Sequence, residues 1–526
     1  MATLSVPRRT IADTATAVPL LRWHERPGAL TALAVGLSVA TLAVLAFGGP
    51  FGPLAVIGGI VGGAVLLAVF ARPKVGLYLA VLTVPLQDLV KAGGITPTQI
   101  AFALLLLAWL LGKLARREGA DGLLRDGTFW RFALFYAAIL ASARVATEVS
   151  LTLADGYRWG VTLAIYAIAR DTLRTRRDWV GLVACCFAGA AGEAWIGTVQ
   201  SQLGLGNPSF AVAAGLSRAF GTFGRPNSYA AYLEQTFPLA LTLAAWTAVR
   251  IPAVWGRWRA TQHGPLATER RAGRAVAGRI LAAVAVALVA LTVGAAILLS
   301  FSRGAWLGTV AALAAMTVLS GRRAATAMAA VFVAAALFLA LGGAAVLPDA
   351  FQGRIESFAS DLVVTDYGET PITDNNFAVK ERTAYWFGGL KMIRDYPLTG
   401  VGLGNYGVRY DGGYYTAPFL VSQVHAHNYY IHIAAETGLF GLLAYLTLIG
   451  GLLVTGWQAS NRARAAGDGL ARALAIGAVG VVVAVAVHNL FENVHVLSMG
   501  VHLGAIWAML AAIRAVYSLR EVPRVP

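Results

Sequence analysis

The sequence predicts an all-α polytopic membrane protein of about 12–14 transmembrane helices with a partly helical extracytoplasmic cap. Three observations carry that expectation. Of 526 residues, 58% are hydrophobic and only 13% are charged, against about 25% charged in soluble domains. The apolar residues gather into runs long enough to cross a bilayer. The net charge of +16 sits in short loops between those runs, which is the positive-inside pattern of a membrane protein rather than a patch for nucleic acid. Membrane lipids are therefore expected partners, and nucleic acid is not.

The runs fall near 29–47, 51–71, 75–90, 97–113, 129–147, 156–171 and 178–198, then 228–249, 278–300, 304–320, 324–347, 428–456, 470–490 and 497–516. The first is too long for a signal h-region and reads as an uncleaved span. The third is short and interrupted by Pro85, so it is the weakest. Gly58, Gly59, Gly62 and Gly63 give two overlapping GxxxG spacings, which predicts close helix packing there. With the N-terminus inside, one frame puts every basic loop on the cytoplasmic side. Those loops are Arg72–Lys74, Lys113–Arg117, Arg170–Arg177, Arg250–Arg279, Arg322–Arg323 and Arg462–Arg472, with Arg514 and Arg520 beyond them. The 250–279 stretch holds seven arginines against one acid, Glu269.

Three divisions follow: residues 1–347 as helices with basic cytoplasmic loops, 348–427 as an extracytoplasmic cap, and 428–526 as the last helices and a cytoplasmic C-terminus. The cap has nine acids and six Lys/Arg, so it lacks the inner-loop bias. Its aromatics, among them Tyr385, Trp386, Tyr396, Tyr406 and Tyr410, predict a folded unit. A helix is expected from Asn376 to Tyr396, ended by Pro397. The glycines of Gly400-Val-Gly-Leu-Gly-Asn405 lack the Lys-Ser/Thr ending of a phosphate loop and read as a tight turn. The adjacent Cys185 and Cys186 lie in an apolar run and read as packing residues.

The same frame leaves polar side chains concentrated at the cap-side ends of helices, where such residues are costly and tend to serve chemistry, substrate or structure. Arg303 stands between two apolar runs against the positive-inside bias. It reads either as a snorkelling arginine on lipid phosphate or as a fixed fork for a diphosphate. Arg225 precedes Pro226, Asn227 and Ser228, which are helix-starting residues, so backbone N–H groups and the helix dipole would join it in facing an anion. The plain alternative is a capped helix. His427-Asn428 opens the apolar run that follows the cap. His425, His427 and His432 invite a metal reading, but an HxH pair suits a strand while His432 falls in the following helix, and no carboxylate completes the set. No metal and no cofactor are expected. His427 reads instead as a general base or orienting donor. Asn428, His432 and Glu436 recur every four residues on one helix face, with Asn428 and Glu436 shaping the helix mouth. His488-Asn-Leu-Phe-Glu492-Asn-Val-His495 is a second polar turn on the same side.

These residues resemble the O-antigen ligase and polymerase family of bacterial membrane glycosyltransferases. His427-Asn428, nine residues, then Gly438-Leu439-Phe440-Gly441 fits the ligase signature without a gap. Arg303 to Leu307 fits a second, and Arg382-Thr383-Ala384-Tyr385-Trp386 with Asp395 to Asn405 is similar to the family's cap. The resemblance covers roughly residues 220–500. It implies a helical-bundle (GT-C type) transferase on the outer face of the bacterial cytoplasmic membrane. The implied donor is a glycan on undecaprenyl diphosphate. The implied acceptor is a hydroxyl of lipid A-core, a similar glycolipid or a growing glycan. It further implies metal-independent chemistry with inversion, His427 as catalytic residue, and Arg225, Arg303, Asn227, Asn428 and Arg382 as substrate-binding residues. A polymerase of the same family is the nearest alternative. A transporter or flippase of a lipid-linked anion is the alternative from another class.

Overall fold

The computed structural model describes residues 52–89, 94–213, 215–260, 266–353, 377–422 and 424–518, with Ile355 and Ile372. The expected span at 29–47, Arg520 and most of 354–376 lie outside the described residues. Fifteen longer helices account for almost everything else. They are α1 (Gly52–Ala71), α2 (Pro73–Leu82), α3 (Pro97–Arg116), α4 (Gly127–Ser142), α5 (Val149–Thr172), α6 (Arg176–Gln202), α7 (Pro226–Glu234) and α8 (Phe237–Ala260). They continue with α9 (Leu266–Leu299), α10 (Arg303–Ser320), α11 (Arg322–Ala340), α12 (Phe377–Asp395), α13 (Tyr429–Ala465), α14 (Gly469–His488) and α15 (Met499–Ser518). One small antiparallel ribbon, β1 (Ala211–Ala213) with β2 (Leu216–Ser217), precedes α7. Among the described residues, nine helical stretches are long and apolar enough to cross a membrane, as an all-α polytopic membrane protein requires.

The chain forms two compact units. Of the described residues, the smaller holds 52–76 and 103–121. In it the backbone of α2 lies close to its neighbours at Gly76, where a Cβ would meet Val69 and Leu105 at 3.0 and 3.2 Å. The GxxxG run of α1 behaves otherwise. A Cβ at Gly58, Gly59, Gly62 or Gly63 would meet nothing within 4 Å among the described residues, which do not include the span expected just before that run. The close approach occurs in the larger unit instead. At Gly304 a Cβ would sit 2.5 Å from the His488 ring, and at Gly308 it would sit 2.7 Å from the Ala484 carbonyl oxygen. These two glycines bring α10 onto α14.

The larger unit is built around α14 and α15, apolar on all sides and buried for most of their length, as the centre of a bundle must be. Helix α13 packs on α4, α14 and α15, and α5 packs on α15. Helix α11 has no buried residue. The loop ends of these helices are charge-locked. Asp126 accepts from Thr128 N at 3.0 Å to cap α4, and it pairs with Arg170 at 3.1 Å and Arg514 at 3.4 Å. Asp468 caps α14 and pairs with Arg176 at 2.6 Å. Arginines expected in cytoplasmic loops thus gather at one end of α5, α6, α13 and α15. The cap lies at the opposite end of α13.

The cap folds as the aromatics predict. Tyr385 and Met392 of α12 share a buried cluster with Val401, Tyr406, Tyr410 and Phe419, and α12 begins and ends within one residue of the expected helix. The glycine turn after it is a clamp. Gly400, Gly402 and Gly404 all have positive φ, and each presses on backbone. Asn405 beyond them accepts from Glu148 N at 2.6 Å and donates to the Glu148 carbonyl oxygen and Thr152. That fixes the cap to the start of α5. The segment also enters a break in α13 at Gly438 (φ 71°, ψ 179°). The freed carbonyls of Ala435 and Glu436 accept from Val401 N and Gly402 N, both at 2.9 Å, while Leu439 N donates to Pro397 O at 2.8 Å. Every interrupted helical hydrogen bond named here is replaced by one to the cap, as buried backbone requires.

Candidate functional site

Three helix starts supply the site, and each has a local cause. Arg225 is the N-cap of α7, with extended backbone and Pro226 at the first turn, where a missing N–H costs nothing. The loop before it is held by Glu193, which accepts from Thr222 N at 2.9 Å and from the Thr222 hydroxyl at 2.7 Å. Arg303 is the first residue of α10, after the N-cap Ser302. Asn428 caps α13, its Oδ1 accepting from Tyr430 N at 3.0 Å and Ile431 N at 3.2 Å. That is the shaping role expected for it. His427 directly before it has a left-handed backbone (φ 51°), uncommon for a residue with a side chain and associated with functional sites.

Glu492 joins these segments. It is 8% exposed and lies in the turn between α14 and α15. Its Oε1 stands 3.2 Å from His427 Nδ1 and 3.4 Å from His425 Nε2, and accepts from Asn493 N at 3.1 Å. Its Oε2 accepts from Asn227 Nδ2 at 2.6 Å. Asn227 in turn accepts from Arg218 Nη2 at 3.0 Å, and Arg218 Nε donates to the Ser300 carbonyl oxygen at 2.9 Å. The Tyr385 ring of the cap lies nearly parallel to His427, with centroids 6.0 Å apart. The two imidazoles of His425 and His427 meet edge to face at 4.2 Å.

Burial, together with the neighbouring Arg382 and Arg303 guanidinium groups, pushes Arg218 down to about 10, with Glu492 opposing them. Arg218 stays cationic at neutral pH, within electrostatic reach of the Arg303 and Arg382 charges. Burial also pushes His425 down to about 4 against the pull of Glu492, with His427, Arg225 and Arg382 adding to the shift. Burial alone would raise Glu492, yet the surrounding His425, His427 and Arg382 hold it well below the ordinary carboxylate range. At neutral pH the centre is therefore an ionised carboxylate beside a neutral His425, with the charges of Arg225 and Arg382 acting on them.

Of the residues singled out in the sequence, Asn227 and His427 meet at Glu492, while Arg303 and Arg382 act on Arg218. Arg225 is exposed at the rim, where its charge reaches His425. The three-histidine set does not form. His432 turns inward, 6% exposed, with Nε2 at 3.4 Å from Glu436 Oε2 and its ring against Tyr406. The carboxylate missing from the sequence reading is Glu492. His425, His427 and Glu492 present donor atoms all within 4.8 Å of one another, a group able to hold a metal ion. Sequence reasoning missed Arg218 and Glu492. Arg218, like Arg303, lies outside the basic loops that the sequence gathers on one side. Glu492 lay in the polar turn already noted but had no visible partner.

Comparison with known proteins places this geometry in context. Residues 286–446 match the family model described as O-antigen ligase. The matched stretch runs from within α9 through Arg303, the cap, Arg382 and His427 to beyond the break at Gly438. Arg218, Asn227 and Glu492 fall outside it. No curated protein matches the chain. Over residues 286–446 the chain is thus similar to O-antigen ligases, and that stretch lies among helices long and apolar enough to cross a membrane.

Proposed function

We propose that the protein is a glycosyltransferase that moves a glycan from undecaprenyl diphosphate to a hydroxyl of lipid A-core or a similar glycolipid, on the outer face of the bacterial cytoplasmic membrane. The observation that carries this reading is that Arg218, on which the Arg303 and Arg382 charges act, is tied through Asn227 to the Glu492–His427 pair. Half-buried guanidinium groups that repel one another are stabilised by a multivalent anion, and their planar forks suit diphosphate oxygens. Family members are glycosyltransferase-like enzymes, and a lipid-linked diphosphate is the anion such an enzyme would hold there.

In this reading Glu492 Oε1, 3.2 Å from His427 Nδ1, orients the imidazole and favours the proton on Nδ1, which leaves Nε2 as the base. The acceptor oxygen gives its proton to His427 Nε2 and attacks the anomeric carbon. The bond from that carbon to the diphosphate oxygen breaks, its electron pair leaving with undecaprenyl diphosphate. Negative charge develops on the leaving oxygen, where preorganised cations contribute most. A single displacement inverts the anomeric centre. The cap and the site face outward and the Arg170, Arg462 and Arg514 ends face the cytoplasm, because one frame then satisfies every basic loop.

Metal-independent chemistry belongs to the proposal as well. A divalent cation on His425, His427 and Glu492 would meet the charges of Arg225 and Arg382, which already act on His425. The decisive assay uses purified protein, a lipid-linked donor of defined length and a glycolipid acceptor. One glycosylated acceptor product that persists with a chelator supports the reading. Loss of activity with chelator and its return with a divalent ion would replace the base mechanism with a metal centre.

A further inference from the structure

The turn that carries Glu492 has a second face. Three residues on, His495 lines a cavity of about 450 Å³ between Gln87, the start of α3, the first half of α5 and the start of α15. That volume lies within the roughly 300–1,000 Å³ of small-molecule pockets. The cavity and the arginine site share a wall. Tyr429, two residues after His427, sets its ring tilted against His495 with centroids 4.7 Å apart and donates its backbone N–H to the Asn489 carbonyl oxygen at 2.7 Å. The His495 ring is held from behind, its Nε2 at 2.9 Å from the Tyr445 hydroxyl and 3.1 Å from Asn489 Nδ2. No residue of the arginine cluster lines the cavity.

The lining states what chemistry would fill it. Gln87 is 3% exposed, and its Oε1 accepts from Ser498 N at 2.8 Å. Its Nε2 has no hydrogen-bond partner among the described residues. A buried amide donor left this way is costly unless a ligand or water meets it. Hydroxyls of Thr98 and Ser498 and the amide of Gln99 stand nearby, and the rings of Tyr157 and Trp159 supply flat apolar faces. The one guanidinium, Arg158, is already paired with Asp155. An anion would find little free positive charge there, and an acyl chain would bury the orphaned donor unpaired. A pyranose offers both hydroxyls for the polar groups and a C–H face for an aromatic ring.

We infer that this cavity seats the sugar portion of the acceptor, across the Tyr429–His495 wall from the donor diphosphate. The assignment rests on the transferase reading for the word acceptor, but sugar binding itself does not. The test uses full-length protein in lipid nanodiscs, with saturation-transfer NMR to methyl glucoside and, below its micelle concentration, octyl glucoside. The variants are Gln87→Met, which removes the amide donor at similar length, and Tyr157→Ala, which removes a half-exposed aromatic face with little burden on folding. Wild type is expected to saturate the sugar-ring protons of at least one probe, with the signal falling at least fivefold in both variants. Response to methyl glucoside identifies a free sugar as sufficient, and response to octyl glucoside alone identifies an anchored one. In the transfer assay both variants should raise the acceptor KM about tenfold while the donor KM stays put. Absence of saturation with both probes, or equal saturation in wild type and variants, overturns the pocket. Sugar binding that depends on Gln87 in a protein that transfers nothing would keep the pocket and defeat the transferase reading. Transfer with unchanged acceptor KM in both variants would do the reverse.

Discussion

Glu492 is one carboxylate shared by segments far apart in the chain. Its bond to Asn227 spans 265 positions, and its other oxygen faces His425 and His427. A carboxylate in that place orients a base without being consumed, so the two side chains should fail in different ways. His427→Ala is expected to lower turnover about 10²–10⁴-fold, the range for a lost general base, with donor binding kept; donor affinity and single-turnover rate measured side by side check it. Arg218→Ala removes a preorganised cation and should cost about 10²–10³ in kcat, with Arg218→Lys recovering only part because the planar fork is gone. Wild-type turnover in both Arg218 variants would leave the diphosphate assignment without support. At this scale the sequence was legible where a residue broke a local rule. Arg303 violates the charge bias, and His427 and Asn227 sit at helix mouths. Glu492 breaks no rule by itself, because a polar residue in a turn is ordinary. Its meaning comes only from Asn227 and His427, and no local pattern encodes that contact.

The element that organises the site is the broken helix α13. Gly438 stands at φ 71°, and a Cβ on it would sit 2.2 Å from the Leu398 carbonyl oxygen. Gly438→Ala therefore combines left-handed strain with a backbone clash, and about 2–5 kcal/mol of destabilisation is expected. Gly467→Ala is the matched control. Its φ is 68°, but a Cβ there meets nothing within 4 Å, so only the conformational cost of about 1–2 kcal/mol applies. Thermal melts of the two variants in the same detergent read the difference directly, and equal melting points would show that the cap does not press into the break. The signature spacing from His427 to Gly438 and Gly441 thus has a physical content. It sets His427 at the mouth of a short half-helix whose far end is stitched to the cap. Periodicity alone located the helices, since apolar runs report length and burial. At the GxxxG run of α1 it states that a close approach is allowed, and among the described residues no neighbour makes one. Gly304 and Gly308 had the same spacing and the neighbour.

For the whole molecule, the account requires that α13 carry the chain from the site side of the membrane to the other. Lys391 on the cap helix and Ala466 just after α13 are both exposed. With Cys185 and Cys186 replaced by serine, single cysteines at Lys391 and Ala466 should react from opposite sides of intact cells with an impermeant maleimide, the cap position from outside. Reaction of both from one side would remove the outward orientation and with it the outer-face donor. The same orientation separates a transferase from a flippase, which needs charged groups serving both leaflets.

The most direct measurement follows bond cleavage in the donor. Purified protein in nanodiscs is given an undecaprenyl-diphosphate-linked glycan of one length with a glycolipid acceptor, and released undecaprenyl diphosphate is quantified against glycosylated acceptor. The account predicts equal amounts of the two, a single product of inverted anomeric configuration, and loss of both together in His427→Ala and Arg218→Ala. A ladder of longer lipid-linked chains with no acceptor present would assign the same site to polymerisation. Donor that crosses the membrane intact, with no diphosphate released by a folded wild-type protein, would contradict the account.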